Sequence, residues 1–298
     1  MINAIKKNKV LICGGASLLS FLWCKAVSNE YDIYLTNNKN KTDYLKFPVV
    51  QVDMLSINSI VNAINENSID IVINTIGLTN VELCESDPEK AFLLNSYVPR
   101  YIAKACNITQ RKLIHISTDH FFKDQKIKHS EDDIVSLINI YAKSKFNGEL
   151  EVLENLPSAL ICRTNFFGNG PPHKLSFSDW IIKSIISKEV ITLHNDVFYT
   201  PISGYDLAHI SHRLLDLNCF GIFNISSEKL LTKFQFGMIL CKVLNFSTKY
   251  INSGKISSRQ DLATRPTSMG LSNKKMSKIL RISVRPITFQ IKRLKFKI

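Results

Sequence analysis

The sequence has no closely spaced pair of cysteines and no apolar run long enough to cross a membrane. Its seven cysteines stand singly, which excludes zinc-ribbon spacings and a disulfide framework and favours a reducing, cytoplasmic compartment. The apolar run 10–24 follows lysines as in a secretory signal, but it is shorter than the roughly 20 residues that a membrane helix needs. Its removal would delete the first strand of the pattern described below. We therefore predict neither a transmembrane segment nor a metal site.

Acidic residues are missing from the end of the chain. None follows Asp261, whereas Arg265, Lys274, Lys275, Lys278, Arg281, Arg285, Lys292, Arg293, Lys295 and Lys297 do. This basic tail suits an anionic substrate, an acidic partner or a membrane surface, and equally a solvated charged face. No nucleic-acid-binding motif accompanies it, so nucleic acid is not predicted as a partner. The oligomeric state stays open, with a homodimer as one alternative.

What the sequence does contain is a regular alternation of short apolar strands and helical stretches. Strands are predicted at 9–13, 31–35, 49–52, 71–74, 112–116 and 159–162, and helices from about residue 18 and at 56–65, 88–106 and 140–153. Strands this apolar suit a parallel sheet that is covered on both faces. The pattern predicts an α/β, Rossmann-type doubly wound sheet.

The character of the chain changes near residue 163, where turns and mixed segments begin, with a further short strand at 221–225. We therefore predict a dinucleotide-binding domain over residues 1–163. Residues 164–298 would form mainly a smaller C-terminal substrate-binding lobe, from which some strands and helices return to the first domain.

The first predicted strand leads into the place where a Rossmann protein has its glycine-rich phosphate-binding turn. Only Gly14, with Gly15 beside it, is glycine, and Ser17 and Ser20 stand where two further glycines are expected. Serine disfavours positive φ, although its hydroxyl can hydrogen-bond a phosphate at a helix N-terminus. Either the cofactor binds in an adapted or weakened way, or it has been lost. We favour retained binding, because the catalytic residues described next are intact.

The segment after the second strand bears on the choice of cofactor. A carboxylate there would bind the ribose of NAD, but residues 36–41 contain no acid and include Lys39 and Lys41. We therefore expect NADPH in preference to NADH. The alternative is that these are ordinary loop residues.

Three side chains are candidates for catalysis. Tyr141 and Lys145 lie one turn apart on a predicted helix, where the ammonium could stabilise a phenolate and bring the pKa of the phenol closer to neutrality. Thr118 follows the strand 112–116 at the edge of the sheet where ligands bind. A hydroxyl, a phenol and an ammonium together can polarise a ketone and supply its proton while a nicotinamide supplies hydride.

At this point the sequence resembles the extended short-chain dehydrogenase/reductase superfamily, and most closely the dTDP-4-dehydrorhamnose reductase family, over nearly its whole length. The resemblance is carried by residues 70–74 with 77–81, 84–88, 91–95, 116–119 with Phe122, 141–145 with 148–149, 163–164, and 265–266 with Leu271 and Lys275. It implies reduction of the 4-keto group of a nucleotide-diphosphate 6-deoxyhexulose, giving an activated deoxysugar for surface polysaccharide.

The resemblance also implies roles for individual residues. Thr118, Tyr141 and Lys145 would be catalytic, with Tyr141 as the proton donor. The cofactor would be lined by Gly14, Ser17, Leu18, Asp53, Met54, Ile76, Gly77, Asn95, Tyr141 and Lys145. The substrate would contact Thr118, Asp119 and Arg265.

The sequence departs from the family pattern at three places: the serines of the turn, His120 where tyrosine is usual, and residues 165–168 with the following Pro171-Pro172-His173. The first bears on cofactor affinity and the other two on sugar specificity. Two other functions stay open. One is an epimerase or dehydratase that uses bound NAD. The other is a regulatory binding protein, as in the methionine adenosyltransferase regulatory subunit, which resembles the same family without its reductase chemistry.

Overall fold

The computed structural model describes residues 7–37, 46–122, 128–259 and 261–296. Its strands are β1 Lys9–Cys13, β2 Asp32–Asn37, β3 Val49–Gln51, β4 Ile71–Asn74, β5 Lys112–Ile116, β6 Leu160–Arg163, β7 Phe166–Phe167, β8 Ile191–His194, β9 Phe198–Tyr199, β10 Ile202–Ser203, β11 Gly221–Asn224, β12 Leu231–Thr232, β13 Ile251–Gly254 and β14 Ser268–Met269. Its helices are α1 Leu18–Val27, α2 Ile57–Glu66, α3 Val81–Ser86, α4 Pro88–Phe92, α5 Val98–Thr109, α6 Ile140–Asn155, α7 Phe177–Ile186, α8 Gly204–Asp216, α9 Lys233–Val243, α10 Lys274–Leu280 and α11 Ile287–Lys292.

Within the described residues, seven strands form one parallel sheet in the order β3-β2-β1-β4-β5-β6-β11. The chain runs from β1 outward through β2 to β3, and then returns to the other side of β1 and runs outward from β4 to β11. The strand order therefore reverses between β1 and β4. The crevice above the carboxyl ends of these two strands is the place where open α/β sheets bind ligands. This topology confirms the predicted Rossmann-type doubly wound fold.

The central strand β1 shows why the sequence forms this sheet. Val10 and Ile12 pack into a core shared with α1 and α8, whereas Leu11 and Cys13 pack into a core shared with α2 and α5. Successive side chains of a strand point to opposite faces, so both faces are covered and all four residues are fully buried. Burial of apolar surface, worth about 25 cal/mol per Å², is the main term that stabilises the sheet.

A separate core holds the smaller lobe together. Phe236 of α9 packs there with residues of α7, β8 and β9. The chain then returns to the large sheet, because β11 pairs with β6, and α8 buries Leu207 and Leu214 in the core on the α1 face. Residues 204–224 thus belong structurally to the sheet layer. The division at residue 163 itself remains a prediction.

The basic tail packs against both cores. Met276 and Leu280 of α10 are buried in the core on the α1 face, whereas Ile287 and Ile291 of α11 are buried in the core of the smaller lobe. The tail is therefore tied down by its apolar side chains, while most of its charges face outward. No helix in the described part of the chain is long and apolar enough to span a bilayer.

The helix predicted over residues 88–106 is divided in the structure. A π-helical turn, Leu93–Tyr97, separates α4 from α5. Pro99 has no backbone N–H to donate to the carbonyl of Asn95, which loosens the helix at this point. The freed carbonyl faces Gly148 of α6, where an added β-carbon would lie 2.0 Å from Asn95 O. Glycine at position 148 is therefore required for α6 to pack this closely.

Candidate functional site

The turn after β1 tolerates serine because of its backbone angles. Gly14 has a φ of +86°, which glycine adopts without strain. Ser17 has a φ of −73° and caps α1, its side chain accepting a hydrogen bond from the backbone N–H of Ser20 at 3.0 Å. The penalty expected for serine at positive φ therefore does not arise at Ser17.

Three hydroxyl groups form a cluster in this turn. Ser17 Oγ lies 2.9 Å from Ser20 Oγ and 3.0 Å from Thr75 Oγ1, and the latter two oxygens are 2.9 Å apart. Ser20 donates to the Gly14 carbonyl and Thr75 to the Cys13 carbonyl, each at 2.8 Å. A hydroxyl has one proton to donate, and Ser17 donates its proton to Ser20 Oγ. This is the proton that can turn toward a ligand without leaving a carbonyl unpaired.

A cavity of about 1100 Å³ opens above the carboxyl ends of β1 and β4. It brings together six of the residues expected to line the cofactor, namely Gly14, Ser17, Asp53, Met54, Ile76 and Gly77. Leu18, Asn95, Tyr141 and Lys145, which were also expected to line the cofactor, are not part of its wall in the described chain. The lysines expected to favour NADPH, Lys39 and Lys41, lie outside the described residues.

The sequence did not single out one part of this wall. His173 and Lys174, from the lobe segment that follows the two prolines, line the cavity, and His173 Nε2 lies 3.2 Å from the Ala16 carbonyl oxygen. This segment departs from the family pattern, but nothing in the residues themselves indicates that it reaches the turn after β1.

Asn95 lies behind the cavity wall and is hydrogen-bonded to the loop that follows β4. Its Oδ1 accepts a hydrogen bond from the Leu78 backbone N–H at 2.8 Å, and its Nδ2 donates to the Leu78 carbonyl and to Ser144 Oγ, each at 3.0 Å. A β-carbon added at Gly77 would lie 3.0 Å from Asn95 Oδ1. The geometry thus makes Asn95 a brace between the loop after β4 and helix α6.

Thr118, Tyr141 and Lys145 come together at the end of β5. Thr118 lies two residues beyond that strand, and its side chain is close enough to the Tyr141 phenol to lower the pKa of that group. Lys145 Nζ donates to the carbonyl of Ile116, the last residue of the strand, at 2.7 Å. All three side chains are buried. We refer to them below as the catalytic triad residues, after the role predicted for them from the sequence.

Burial has the largest effect on the pKa of Tyr141 and on that of Lys145. Burial raises the pKa of Tyr141, and Asp119 and Cys84 act in the same direction, whereas Thr118 opposes them. Burial lowers the pKa of Lys145 to about 8, opposed by the nearby Glu149. The expected lowering of the tyrosine pKa is therefore wrong for this geometry, because desolvation is the largest effect and the neighbouring negative groups add to it. A phenol that stays protonated is the form that a proton donor needs.

A buried ion pair fixes both sides of the catalytic triad residues. Arg163 Nη2 lies 2.7 Å from Glu149 Oε2, and Arg163 Nε lies 3.0 Å from Glu149 Oε1. The Ser117 hydroxyl donates to the same carboxylate. Glu149 lies one helical turn after Lys145, and Ser117 directly precedes Thr118. The ion pair therefore holds α6 and the end of β5 in one arrangement.

Asp119 and His120 lie next to the catalytic triad residues. Asp119 Oδ2 accepts from Asn165 Nδ2 at 2.8 Å, and its Oδ1 lies 3.1 Å from His120 Nδ1. Asp119 is only 1% exposed, so protein groups already occupy the carboxylate expected to contact substrate. The His120 ring stands edge-on to Tyr141, with 5.2 Å between the ring centroids.

A second cavity, of about 550 Å³, lies on the other side of these residues. His120 and Arg265 line it, and Arg265 Nη2 is paired with both carboxylate oxygens of Glu82 at 2.6 Å. Phe177, Trp180 and Lys233 of the smaller lobe also line this cavity. The sequence did not identify these three, because no local motif marks residues that only tertiary packing brings together.

The catalytic triad residues lie between the two cavities. Gly77 lines the larger one, and a β-carbon added there would lie 4.0 Å from Lys145 Nζ. His120, which packs on Tyr141, lines the smaller one. A doubly wound sheet with a cavity at its switch point and a Thr and Tyr-x-x-x-Lys group beside it defines a Rossmann-fold protein of the extended short-chain dehydrogenase/reductase class.

The comparison with known protein families agrees with this class. The chain belongs to the family whose model is described as the RmlD substrate binding domain, which matches residues 8–295.

Individual relatives agree as well. The chain is 30% identical over 223 residues to the "Probable low-salt glycan biosynthesis reductase Agl14" of Haloferax volcanii, covering 74% of each chain. It is 33% identical over 140 residues to the dTDP-4-dehydrorhamnose reductase of Salmonella typhimurium, covering 47% of this chain and 46% of that one. Its fold is similar to the dTDP-4-dehydrorhamnose reductase of Bacillus anthracis solved in complex with NADP, with a TM-score of 0.85, 22% identity, and coverage of 97% and 99%.

Proposed function

We propose that this protein is a reductase that uses NADPH or NADH to reduce the 4-keto group of a nucleotide-diphosphate 6-deoxysugar. The observation that carries the proposal is that Thr118, Tyr141 and Lys145 meet at the end of β5, where Lys145 of α6 donates to the last strand carbonyl, between two cavities. The names of the relatives support the substrate class, since they include a glycan biosynthesis reductase and a dTDP-4-dehydrorhamnose reductase.

The larger cavity fits a nicotinamide dinucleotide. Its volume of about 1100 Å³ exceeds that of most pockets for drug-sized ligands, and its wall at the N-terminus of α1 is built from Gly14 and Gly15. The Ser17 hydroxyl can donate to a phosphate there. Gly14, Ser17, Ile76 and Gly77 would hold the dinucleotide, and Asp53 and Met54 would lie by its adenine. When bound, the cofactor supplies hydride.

The residues of the chain supply the proton and the orientation. The Thr118 hydroxyl holds the ketone oxygen beside the Tyr141 phenol, which stays protonated because it is buried. Tyr141 then donates its proton to the oxygen as the carbonyl is reduced. The ammonium of Lys145 favours the resulting phenolate. The Glu149–Arg163 pair keeps these groups in register without touching the substrate.

We infer NADPH as the preferred cofactor, because the segment 36–41 has lysines and no acid. We place the reaction in the cytoplasm, because all seven cysteines are free thiols, as expected in a reducing compartment. Rates with NADPH and NADH measured side by side test the first statement, and cell fractionation tests the second.

The decisive experiment is to incubate the protein with NADPH or NADH and a set of dTDP- and UDP-linked 4-keto-6-deoxysugars, and to follow absorbance at the nicotinamide band. We expect stoichiometric oxidation of the cofactor with at least one sugar. Absence of oxidation with every sugar would contradict the proposal. Net consumption of cofactor also separates a reductase from an epimerase or dehydratase, which regenerates its bound NAD.

The matched variant is Tyr141→Phe, which keeps the ring and removes the proton. We expect turnover to fall by about 10²- to 10⁴-fold, the usual contribution of general acid catalysis, while binding of NADPH persists. A regulatory binding protein would instead show no turnover in the wild type and no effect of this variant on partner affinity.

A further inference from the structure

Four basic side chains line the 550 Å³ cavity, namely His120, His194, Lys233 and Arg265, and they differ in whether a carboxylate already neutralises them. Arg265 is paired with Glu82 through two contacts of 2.6 Å. Burial lowers the pKa of His194, which keeps this imidazole neutral at neutral pH. His120 is held by Asp119 at 3.1 Å. The remaining cation is Lys233.

Lys233 is positioned by aromatic rings instead of by a carboxylate. It is the first residue of α9, whose start is fixed by a capping box between Thr232 and Gln235. Its Nζ lies 3.4 Å from the centroid of the Tyr199 ring and 5.2 Å from that of Phe177. Within the described residues no carboxylate oxygen lies within 4.0 Å of its Nζ. Ring faces attract a cation without neutralising it, so the ammonium keeps its capacity to bind an anion.

Lys233 has two kinds of neighbour. Phe177, one of its ring contacts, stacks on Trp180, with 5.9 Å between centroids and an angle of 22° between the rings, and Trp180 lines the same cavity and is 38% exposed. The exposed indole is a flat surface on which a nucleobase can stack. Asp119, which acts electrostatically on Lys233, lies next to Thr118. The ammonium therefore adjoins both a stacking surface and the reacting end.

In a nucleotide sugar the diphosphate joins the base to the sugar. We propose that Lys233 binds the diphosphate of the substrate and is the main cation of the chain that does so. This inference rests on the proposed function for the identity of the ligand. It assigns the diphosphate to a residue outside every sequence motif considered above, and it gives Arg265 the lesser role of a cation already paired with Glu82.

A carboxylate on the sugar is the other anion that Lys233 could bind, and the position of the ammonium beside the Phe177–Trp180 stack favours the diphosphate. The test is calorimetric titration of the full chain with dTDP and with UDP, and with thymidine and uridine as ligands that lack phosphate. We expect Lys233→Met to weaken binding of the better diphosphate by about 10- to 100-fold, as for loss of a charged hydrogen bond, with nucleoside binding unchanged. Lys233→Arg should restore most of the affinity.

The matched control is Lys242→Met, at the exposed end of the same helix, which should leave the affinity unchanged. Equal diphosphate affinity in the wild type and Lys233→Met, or no saturable binding of either diphosphate to the wild type, would overturn the inference. Thermal melting of each variant, including Lys233→Arg, shows whether weaker binding comes from the lost ammonium or from loss of folding. The titrations measure binding and not turnover. A failure of the proposed reductase activity would therefore appear in the nicotinamide assay and not in these titrations.

The pH dependence provides a second readout. Burial lowers the pKa of Lys233 to about 8, opposed by Asp119. The other charged or titratable groups that face it are Tyr199, Asp119, His120, His194 and the Arg265–Glu82 pair, and burial raises the pKa of Tyr199 above its ordinary value. The range for this test is pH 7.5 to 8.5, which includes the pKa of Lys233 and lies below the ionisation of the uracil or thymine base of the ligand. Diphosphate affinity should therefore fall across this range in the wild type and stay level in Lys233→Met and Lys233→Arg, whereas a parallel fall in all three would contradict the assignment.

Discussion

The turn after β1 and the end of β5 are built on different physical terms, although both belong to the same site. At the turn two expected glycines are serines, and a cluster of three hydroxyls closes the loop through contacts of 2.8–3.0 Å. At the end of β5 the catalytic triad residues are held by a buried ion pair and by a glycine against backbone. Serine can replace glycine in the turn because the φ of Ser17 is negative, in a region that any residue adopts. The end of β5 does not tolerate such substitutions, because it depends on a buried ion pair and on a glycine that contacts backbone directly. Each prediction below tests this contrast.

The largest effect is expected from Arg163→Met. This change leaves Glu149 as an unpaired buried carboxylate, which costs about 3–5 kcal/mol of unfolding free energy. Urea denaturation measures the change. The control is Arg259→Met, which breaks an exposed pair with Asp261 and should leave the urea midpoint almost unchanged. Similar losses in the two variants would mean that the buried pair is not what distinguishes the end of β5.

A smaller loss is expected from Gly148→Ala. Its new methyl group would lie 2.0 Å from Asn95 O, and relief of such overpacking typically costs about 3 kcal/mol. Gly221→Ala is the control, because Gly221 has a φ of +80° and no atom within 4 Å of its added carbon. That variant should lose only about 1 kcal/mol, from backbone strain alone. Urea denaturation of both variants checks the order, and a larger loss at Gly221 would contradict it.

Lys145 should give the stability a measurable pH dependence. Burial lowers its pKa from 10.5 to about 8, so between these values the unfolded chain binds a proton that the folded chain does not. The contribution of Lys145 to stability therefore rises with pH in this window, by on the order of 2 kcal/mol from pH 8 to 9.5. Burial raises the pKa of cysteines such as Cys13 and Cys162, which act in the opposite direction, so the contribution of Lys145 is seen only in a difference between two proteins. The raised pKa of Tyr141 acts in the opposite direction above pH 10, so the range stops below it.

The measurement is the difference in unfolding free energy between the wild type and Lys145→Met at each pH. Lys233 titrates in both proteins and cancels. A difference that does not change with pH would show that Lys145 is better solvated than its hydrogen bond to the Ile116 carbonyl indicates.

The smallest effect is expected at the turn. Ser17→Ala removes the cap of α1 and should cost about 1 kcal/mol of stability, whereas Ser17→Gly should cost only a few tenths. Both variants lose the donatable hydroxyl, so both should bind NADPH about 2- to 10-fold more weakly than the wild type. Fluorescence titration of NADPH checks this. Tighter binding by Ser17→Gly would show instead that the serine is a defect in the turn.

The sequence predicted those features that are local. β1, β4 and β5 were located to the residue because each is an unbroken apolar run, and the Tyr141–Lys145 spacing identified one helix face. The hydroxyl cluster was not predicted, because Thr75 lies 58 residues from Ser17. The Arg265–Glu82 pair spans 183 residues, and the placement of Lys233 depends on rings of α7 and β9. Periodicity reports which face of an element is buried, but it does not report which distant residue lies opposite.

The late position of β11 has a consequence for how the molecule is made. A ribosome must synthesise the smaller lobe up to residue 203, and then α8, before the seventh strand of the sheet exists to cover β6. Until then Leu160–Arg163 is an open edge with unpaired backbone groups, a place where nascent chains associate wrongly. A fragment ending at residue 163 would carry that edge permanently, so the two halves of this protein should not be separable by cutting between them.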